Sequence, residues 1–438
     1  MKIYDELKLR FDTPLWALYP ELALFDTILT KRPDFVQMVS NDVLLGLSES
    51  NYGRKDSPSV EQVLRAAIFK EVKQLTYREL ENDMLDSKVC NMFLRLDENQ
   101  SFSYSVLQKY ISKISEDSIR KIIIEINKIA VNEKIENIEK ISTDTTTIET
   151  DVHHPSNNSL VYDCIKVATE YLKKIKKEQK DNDRLESNRQ RAKKINYQIN
   201  NVKKEEHPEL FKPYLEILKG LIIETWLTIR NQNIKTKKTI KIIDLLPTFI
   251  KVYKNAVSHQ LQNKPVENSK KIFSIFELHT DILVKGIRDV EFGHKTLFTR
   301  GESSMILDFQ VFEGNPSDKD LLIPSVENVI NNYQQVPVST SNDGGFCSKA
   351  NQLACKALGI ANIVFTKVTK SLKNIAFSSE VELALKKWRG STEAVISNIK
   401  RGFGLKRVSW EGFAGFCSKV AWSVLGYNLR VMCNRILE

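Results

Sequence analysis

Three carboxylates in this sequence could do chemistry together: Asp144, Asp343 and Glu393. They lie 199 (343 − 144) and 50 (393 − 343) residues apart, so only a folded core could bring them to one place. Asp144 sits in a β-branched run between Ser142 and Thr146, and strand alternation puts these three side chains on one face. Asp343 precedes Gly344 and Gly345, which free the backbone to turn sharply. Glu393 lies in KKWRGSTEAVISNIKRGFGLKR, read as part of one long helix beginning near Ser379. Arg389 precedes it by four residues and Lys400 follows by seven, so on a helix all three fall within roughly 40° of one another. Such a set suits phosphodiester chemistry, in which two hard cations about 3.5 to 4 Å apart activate the attacking oxygen and stabilise the leaving one. The acids would hold the metals, and the flanking cations would grip phosphates on either side of the reacting bond.

Other residues near these segments carry weaker signals. Glu149 and Asp151 follow Asp144 closely and read as supporting or surface groups. His153 and His154 are adjacent on an extended segment, point to opposite faces and so do not form a joint metal site. His294 and Lys295 sit one step from the presumed active face; a phosphate contact and, for the histidine, a packed position in the strand are both open. The six cysteines form no C-x-x-C pair and show no zinc-type spacing. Most of the C-terminal aromatic residues read as core, with Trp388 able to stack on an unpaired base.

The elements that must position the acids follow from periodicity. Residues 1–137 read as helical, with a capping box at Ser59 opening VLRAAIFKEVKQL and two further amphipathic segments carrying basic residues on their outer faces. This segment reads either as a helix-turn-helix-like DNA-binding domain or as a plain helical packing or dimerisation domain. From Ile138 the alternating run IEKISTDTTTIETDV is a strand; VEFGHKTLFTRG and SSMILDFQVFEG read as an antiparallel hairpin. The order β-β-β-α-β-α-β-α, taken with the motifs, is that of a ribonuclease-H-like α/β core with a mixed sheet over 138–153 and 283–438. A helical basic insertion, 154–282, separates the first and second core strands. Its cations Lys173, Lys176, Lys177, Arg191 and Lys194 read either as a solvated face or as contacts to a DNA backbone.

Net charge is +10, which favours a polyanionic partner. No apolar run reaches eighteen residues, and MKIYDELKLRFDTPLW has acidic residues early and no apolar signal-peptide region. The expectation is a cytoplasmic, nucleoid-associated protein of a prokaryote with no membrane contact.

The spacing R-x3-E-x6-K resembles the Y-x2-R-x3-E-x6-K signature of bacterial insertion-sequence DDE transposases. DTTTIETDVHHPSNNSL, VEFGHK, EGNPSDKDLLIP, NDGGFCSKAN and STEAVISNIKRGFGLKR look like successive blocks of that superfamily, closest to the ISNCY-type elements, and TYREL resembles the N-terminal domain of related enzymes. Lys386 stands where the signature has tyrosine. The resemblance implies a catalytic, metal-holding triad of Asp144, Asp343 and Glu393 with two Mg²⁺ ions, for which Mn²⁺ would substitute. It implies DNA contacts from Arg389, Lys400 and Lys386, with double-stranded terminal inverted repeats and target DNA as partners of a homodimer that cleaves DNA ends and transfers strands. A ribonuclease-H-like nuclease without strand transfer, and a non-catalytic DNA-binding protein, are the competing readings.

Overall fold

A β-branched run rich in Thr and Ile forms strand β1 (Lys140–Thr150), a central strand of the sheet and the one that carries Asp144. The computed structural model describes residues 18–46, 57–97, 100–176, 179–231, 237–267, 270–285, 289–368 and 372–438. Residues 1–17 and Lys177 lie outside them. The chain divides into two compact units: Met1–Thr150 with Leu283–Glu438, and Asp151–Ile282.

The first unit begins with seven described helices: α1 (Pro20–Lys31), α2 (Asp34–Leu44), α3 (Val60–Lys73), α4 (Tyr77–Asp86), α5 (Lys88–Leu94), α6 (Tyr104–Ile111) and α7 (Glu116–Asn132). The capping box at Ser59 forms as its spacing predicts: the Gln62 N–H donates to Ser59 Oγ at 3.1 Å and Ser59 N–H to Gln62 Oε1 at 3.0 Å. Not all basic side chains point outward. Arg65 and Lys70 are buried, Arg65 because Asp26 and Glu61 neutralise it at 2.7 and 2.8 Å.

In the second unit, α8 (Asn157–Lys176), α9 (Gln179–Asn201), α10 (His207–Asn231) and α11 (Lys237–Ala256) pack around their own core, which includes Val161, Tyr214 and Phe249. The sheet resumes with β2 (Asp281–Lys285), β3 (Asp289–Arg300) and β4 (Ile306–Phe312). Then follow α12 (Asp318–Tyr333), β5 (Ser339–Asn342), α13 (Lys349–Ala357) and β6 (Asn362–Phe365). The chain closes with α14 (Ser379–Arg389), α15 (Ser391–Gly402), β7 (Arg407–Val408) and α16 (Gly412–Leu437).

Among the described residues the sheet is mixed and seven-stranded, with β2, β3, β1, β5 and β6 in that order; β4 pairs with β3 and β7 with β1. The β3–β4 hairpin is antiparallel, as its sequence suggests, and β1 pairs antiparallel with β3 and parallel with β5. Strands β2 and β7 carry no clear signal in the sequence. No helix among the described residues is long and apolar enough to cross a membrane, and all six cysteines are buried free thiols.

Helix α16 joins the N-terminal helices to the sheet. It is apolar nearly all round and therefore buried, with Trp422, Val424 and Leu429 inside the same core as Phe69, Ile126 and Phe309. Among its polar anchors is the fully buried Asn428, whose Oδ1 accepts from Ile306 N–H at 2.8 Å. Its amide donates to Ile306 O at 2.8 Å and to Asn127 Oδ1 at 3.0 Å. Replacing Asn428 with Ala should strip partners from several buried groups, each worth about 1–3 kcal/mol. Urea unfolding should show the midpoint falling accordingly; an unchanged midpoint would mean that this bridge does not hold α16 in place.

Candidate active site

Strand pairing brings the first two acids together. The β1–β5 register matches Lys140 with Ser339, and Asp144 and Asp343 each lie four residues further on (144 − 140; 343 − 339). Beyond Ile141 the ladder gives way to side-chain bonds: Thr143 N–H donates to Asn342 Oδ1 at 2.8 Å, so the diverging backbone keeps a partner. Asp343 follows β5 directly. The chain does turn at once, into a 3-10 turn over Gly344–Phe346, although neither glycine adopts a positive φ there. They are needed for close approach: a Cβ on Gly344 would stand 2.8 Å from Lys367 Cβ, and one on Gly345 2.8 Å from an Asp318 carboxylate oxygen.

The expected single helix carrying Arg389 and Glu393 is broken at Gly390, so Arg389 ends α14 and Glu393 falls in the first turn of α15. The helix N-terminus there favours a carboxylate. A buried arginine pins the break. Arg300 donates to Thr392 Oγ1 at 2.8 Å, Trp388 O at 2.8 Å and Ser391 Oγ at 2.7 Å, and its guanidinium stacks 4.0 Å over the Trp388 ring. Thr392 in turn donates to Ser142 Oγ at 3.0 Å, two residues from Asp144. Burial lowers the Arg300 pKa to about 10, so it still carries its charge at neutral pH.

At the centre of the three acids stands the Arg389 guanidinium. Nη2 donates to Asp144 Oδ2 at 2.7 Å and lies 3.9 Å from Asp343 Oδ1, while Nη1 donates to Glu393 Oε1 at 2.9 Å. The arginine side chain is only 9% exposed, whereas Glu393 is 71% exposed. Burial pushes the Asp144 carboxyl up to about 6, against the pull of Arg389. Burial also acts on Asp343, but the Thr366 hydroxyl at 2.8 Å, the Gly344 and Gly345 N–H groups and Arg389 outweigh it and leave that carboxyl below its ordinary value. Among the described residues no group of three or more His, Cys, Asp or Glu side chains is already gathered to hold a metal ion.

The other sequence candidates divide sharply. Lys400 lines an open cleft of about 520 Å³ with Asp144, Glu393, Arg401 and Lys406. A larger cleft of about 830 Å³, around Lys70, Glu71 and Trp410, includes none of the three acids. His294 takes the packed position of the two that the sequence left open: it is fully buried, bonded through Nδ1 to Phe312 O at 3.0 Å and packed edge-on against Phe413 and Phe416. Lys295 is drawn onto Asp318 at 2.8 Å and Pro316 O at 2.7 Å, and Lys386 onto Glu382 at 2.6 Å. Glu149 pairs with Arg407 at 2.8 Å. Arg389 itself is turned inward onto the acids rather than presented on an outer face.

No protein-family model, curated protein or solved structure matches the chain.

Three residues beside the acids escaped the sequence reading: Asp318, which also accepts from Thr145 Oγ1 at 3.1 Å, Thr366 and Arg300. Asp318 signals only a helix start, and nothing in the local pattern separates Arg300 from a surface cation.

The raised Asp144 pKa has a consequence for stability. Its folded value, about 6, exceeds its ordinary 3.8, so the folded state holds the proton more tightly. In metal-free buffer this group's contribution falls as pH rises from about 4 to about 6, and above that the buried charge opposes folding. Asp144→Asn should therefore be more stable than wild type at pH 8, by about 3 kcal/mol at most, with the difference fading towards pH 4. A difference independent of pH in thermal melts would contradict the burial argument.

Proposed function

We propose that the chain is a DDE-type DNA transposase, which cleaves transposon ends and joins them to target DNA by metal-dependent phosphodiester chemistry. The observation that carries the reading is the meeting of Asp144, Asp343 and Glu393, from two parallel neighbouring strands and a helix, on one guanidinium. The strand sequence β4-β3-β1-β5-β6, antiparallel through β1 and parallel beyond it, supports a ribonuclease-H-like core.

The donor set fits Mg²⁺. It offers only carboxylate oxygens, and three acids against one arginine leave an excess of negative charge when all are ionised. Two ions held by Asp144, Asp343 and Glu393 would supply charge stabilisation at the attacking and leaving oxygens. The protein's own share is placement. Thr366 and the glycine N–H groups hold Asp343 ionised, Arg300 fixes the α14–α15 break that carries Glu393, and Lys400 and Lys406 line the cleft where a phosphate backbone would run. A homodimer on paired ends fits the need to cut two ends in concert.

Asp144→Ala, Asp343→Ala and Glu393→Ala should each lower Mg²⁺-dependent cleavage of duplexes from the element's ends by about a hundredfold to a thousandfold or more, while binding persists. Wild-type cleavage by any of the three would remove that residue from the mechanism and break the reading.

In the insertion, Lys173 pairs with Glu186 and Lys176 with Glu224, which narrows the backbone-contact expectation to exposed cations such as Arg191 and Lys194 of α9. Changing Arg191 and Lys194 to Gln should weaken binding to specific and unrelated duplexes alike. Each lost phosphate contact should flatten the slope of log K against log salt by about 0.9. A slope that does not move would make these residues a solvated face.

A further inference from the structure

The Arg389 guanidinium uses the same oxygens that a divalent cation would need. Nη2 takes Asp144 Oδ2 at 2.7 Å and faces Asp343 Oδ1 at 3.9 Å; Nη1 takes Glu393 Oε1 at 2.9 Å. This is an internal ion, delivered on a side chain that is itself largely buried. Its fit is incomplete, since the buried Nε has no hydrogen-bond partner, and one positive charge faces three carboxyl groups. A divalent ion would bind such a set more strongly per site, but not beside a guanidinium within contact distance, where the two cations repel.

We propose that Arg389 is the resident counter-cation of the three acids, displaced when a divalent cation enters and then taken up by a DNA phosphate, so that metal and DNA binding assist one another. This rests on the reading that the three acids take a metal. A guanidinium released from carboxylates pairs well with a phosphate, because its planar fork matches both groups. DNA would then draw away the competitor of the metal, and the metal would release the arginine for DNA; such coupling is reciprocal. The protein alone would load metal poorly, which keeps the cleaving centre incomplete until DNA is present. The Gly390 break serves this exchange: Arg389 is the last residue of α14, whereas Glu393 belongs to α15, and Arg300 holds the junction through Trp388 O and Ser391 Oγ whichever partner Arg389 has.

The test is Mn²⁺ binding to the full chain, followed by the electron paramagnetic resonance of the free ion, with thermal melts to check folding. Without DNA, Arg389→Gln should bind Mn²⁺ on the order of tenfold more tightly than wild type, while Arg389→Lys, which keeps the charge, should gain less. Equal affinity in wild type and Arg389→Gln, or an equal gain in both variants, would overturn the proposal. Should the glutamine variant fail to fold, wild type alone decides. A non-specific duplex should tighten the Mn²⁺ binding that Asp144→Asn abolishes, and no tightening would overturn the coupling. If Asp144→Asn binds Mn²⁺ as wild type does, the metal reading of the acids falls, and this inference falls with it. If that variant loses the ion while Arg389→Gln gains nothing, the metal reading stands and only the inference fails.

Discussion

Three carboxyl groups can share a half-buried site only if something positive stands among them, and here that is the guanidinium of Arg389. Asp144, the most buried of the three, shows what the arrangement costs: removal from water raises its affinity for a proton despite an ion pair at 2.7 Å. Glu393 is exposed and Asp343 half-exposed, so both remain in reach of water. Much of the surrounding architecture fixes the backbone so that these four charges meet.

The fixing is done mainly by buried hydrogen bonds rather than by apolar packing alone. Arg300 lies under Trp388 with carbonyl and hydroxyl partners, so a buried charge is stabilised by dipoles that do not compete for Arg389. A second buried chain runs from Thr143 to Thr299 at 2.8 Å, from Thr299 to Ser325 at 2.6 Å and from Ser325 to Asp308 at 3.0 Å. It ties β1, β3, α12 and β4 at specific atoms. Apolar packing alone would tolerate small slips between these elements, whereas a displaced buried hydrogen bond leaves groups unsatisfied. Precise placement of the acids is the gain.

The cations of the chain serve two different ends. Arg65, Arg300, Arg389, Lys70 and Lys419 are buried and structural or site-forming, while much of the charge on α9 faces water. Net charge is therefore a poor guide to which surface could meet a polyanion, because it counts both kinds equally. Lys295 and Lys386 show the same point: each looks available in the sequence, yet an acid within hydrogen-bond reach engages it.

Local pattern determined a good deal by itself. The β-branched alternation of β1, the β3–β4 hairpin, the alternating strands and helices after it, and the Ser59 capping box all follow from periodicity and side-chain chemistry acting over a few residues. Helical spacing also linked Arg389 to Glu393, and that pair survives the break at Gly390. What pattern could not supply was the partner across the fold. That His294 is sealed between Phe413 and Phe416, that Gly344 and Gly345 make room for Lys367 and Asp318, and that Arg389 turns onto the acids all depend on residues distant in the sequence. A side chain's type states which bonds it can make; packing in three dimensions decides which partner is within about 3 Å and which is excluded.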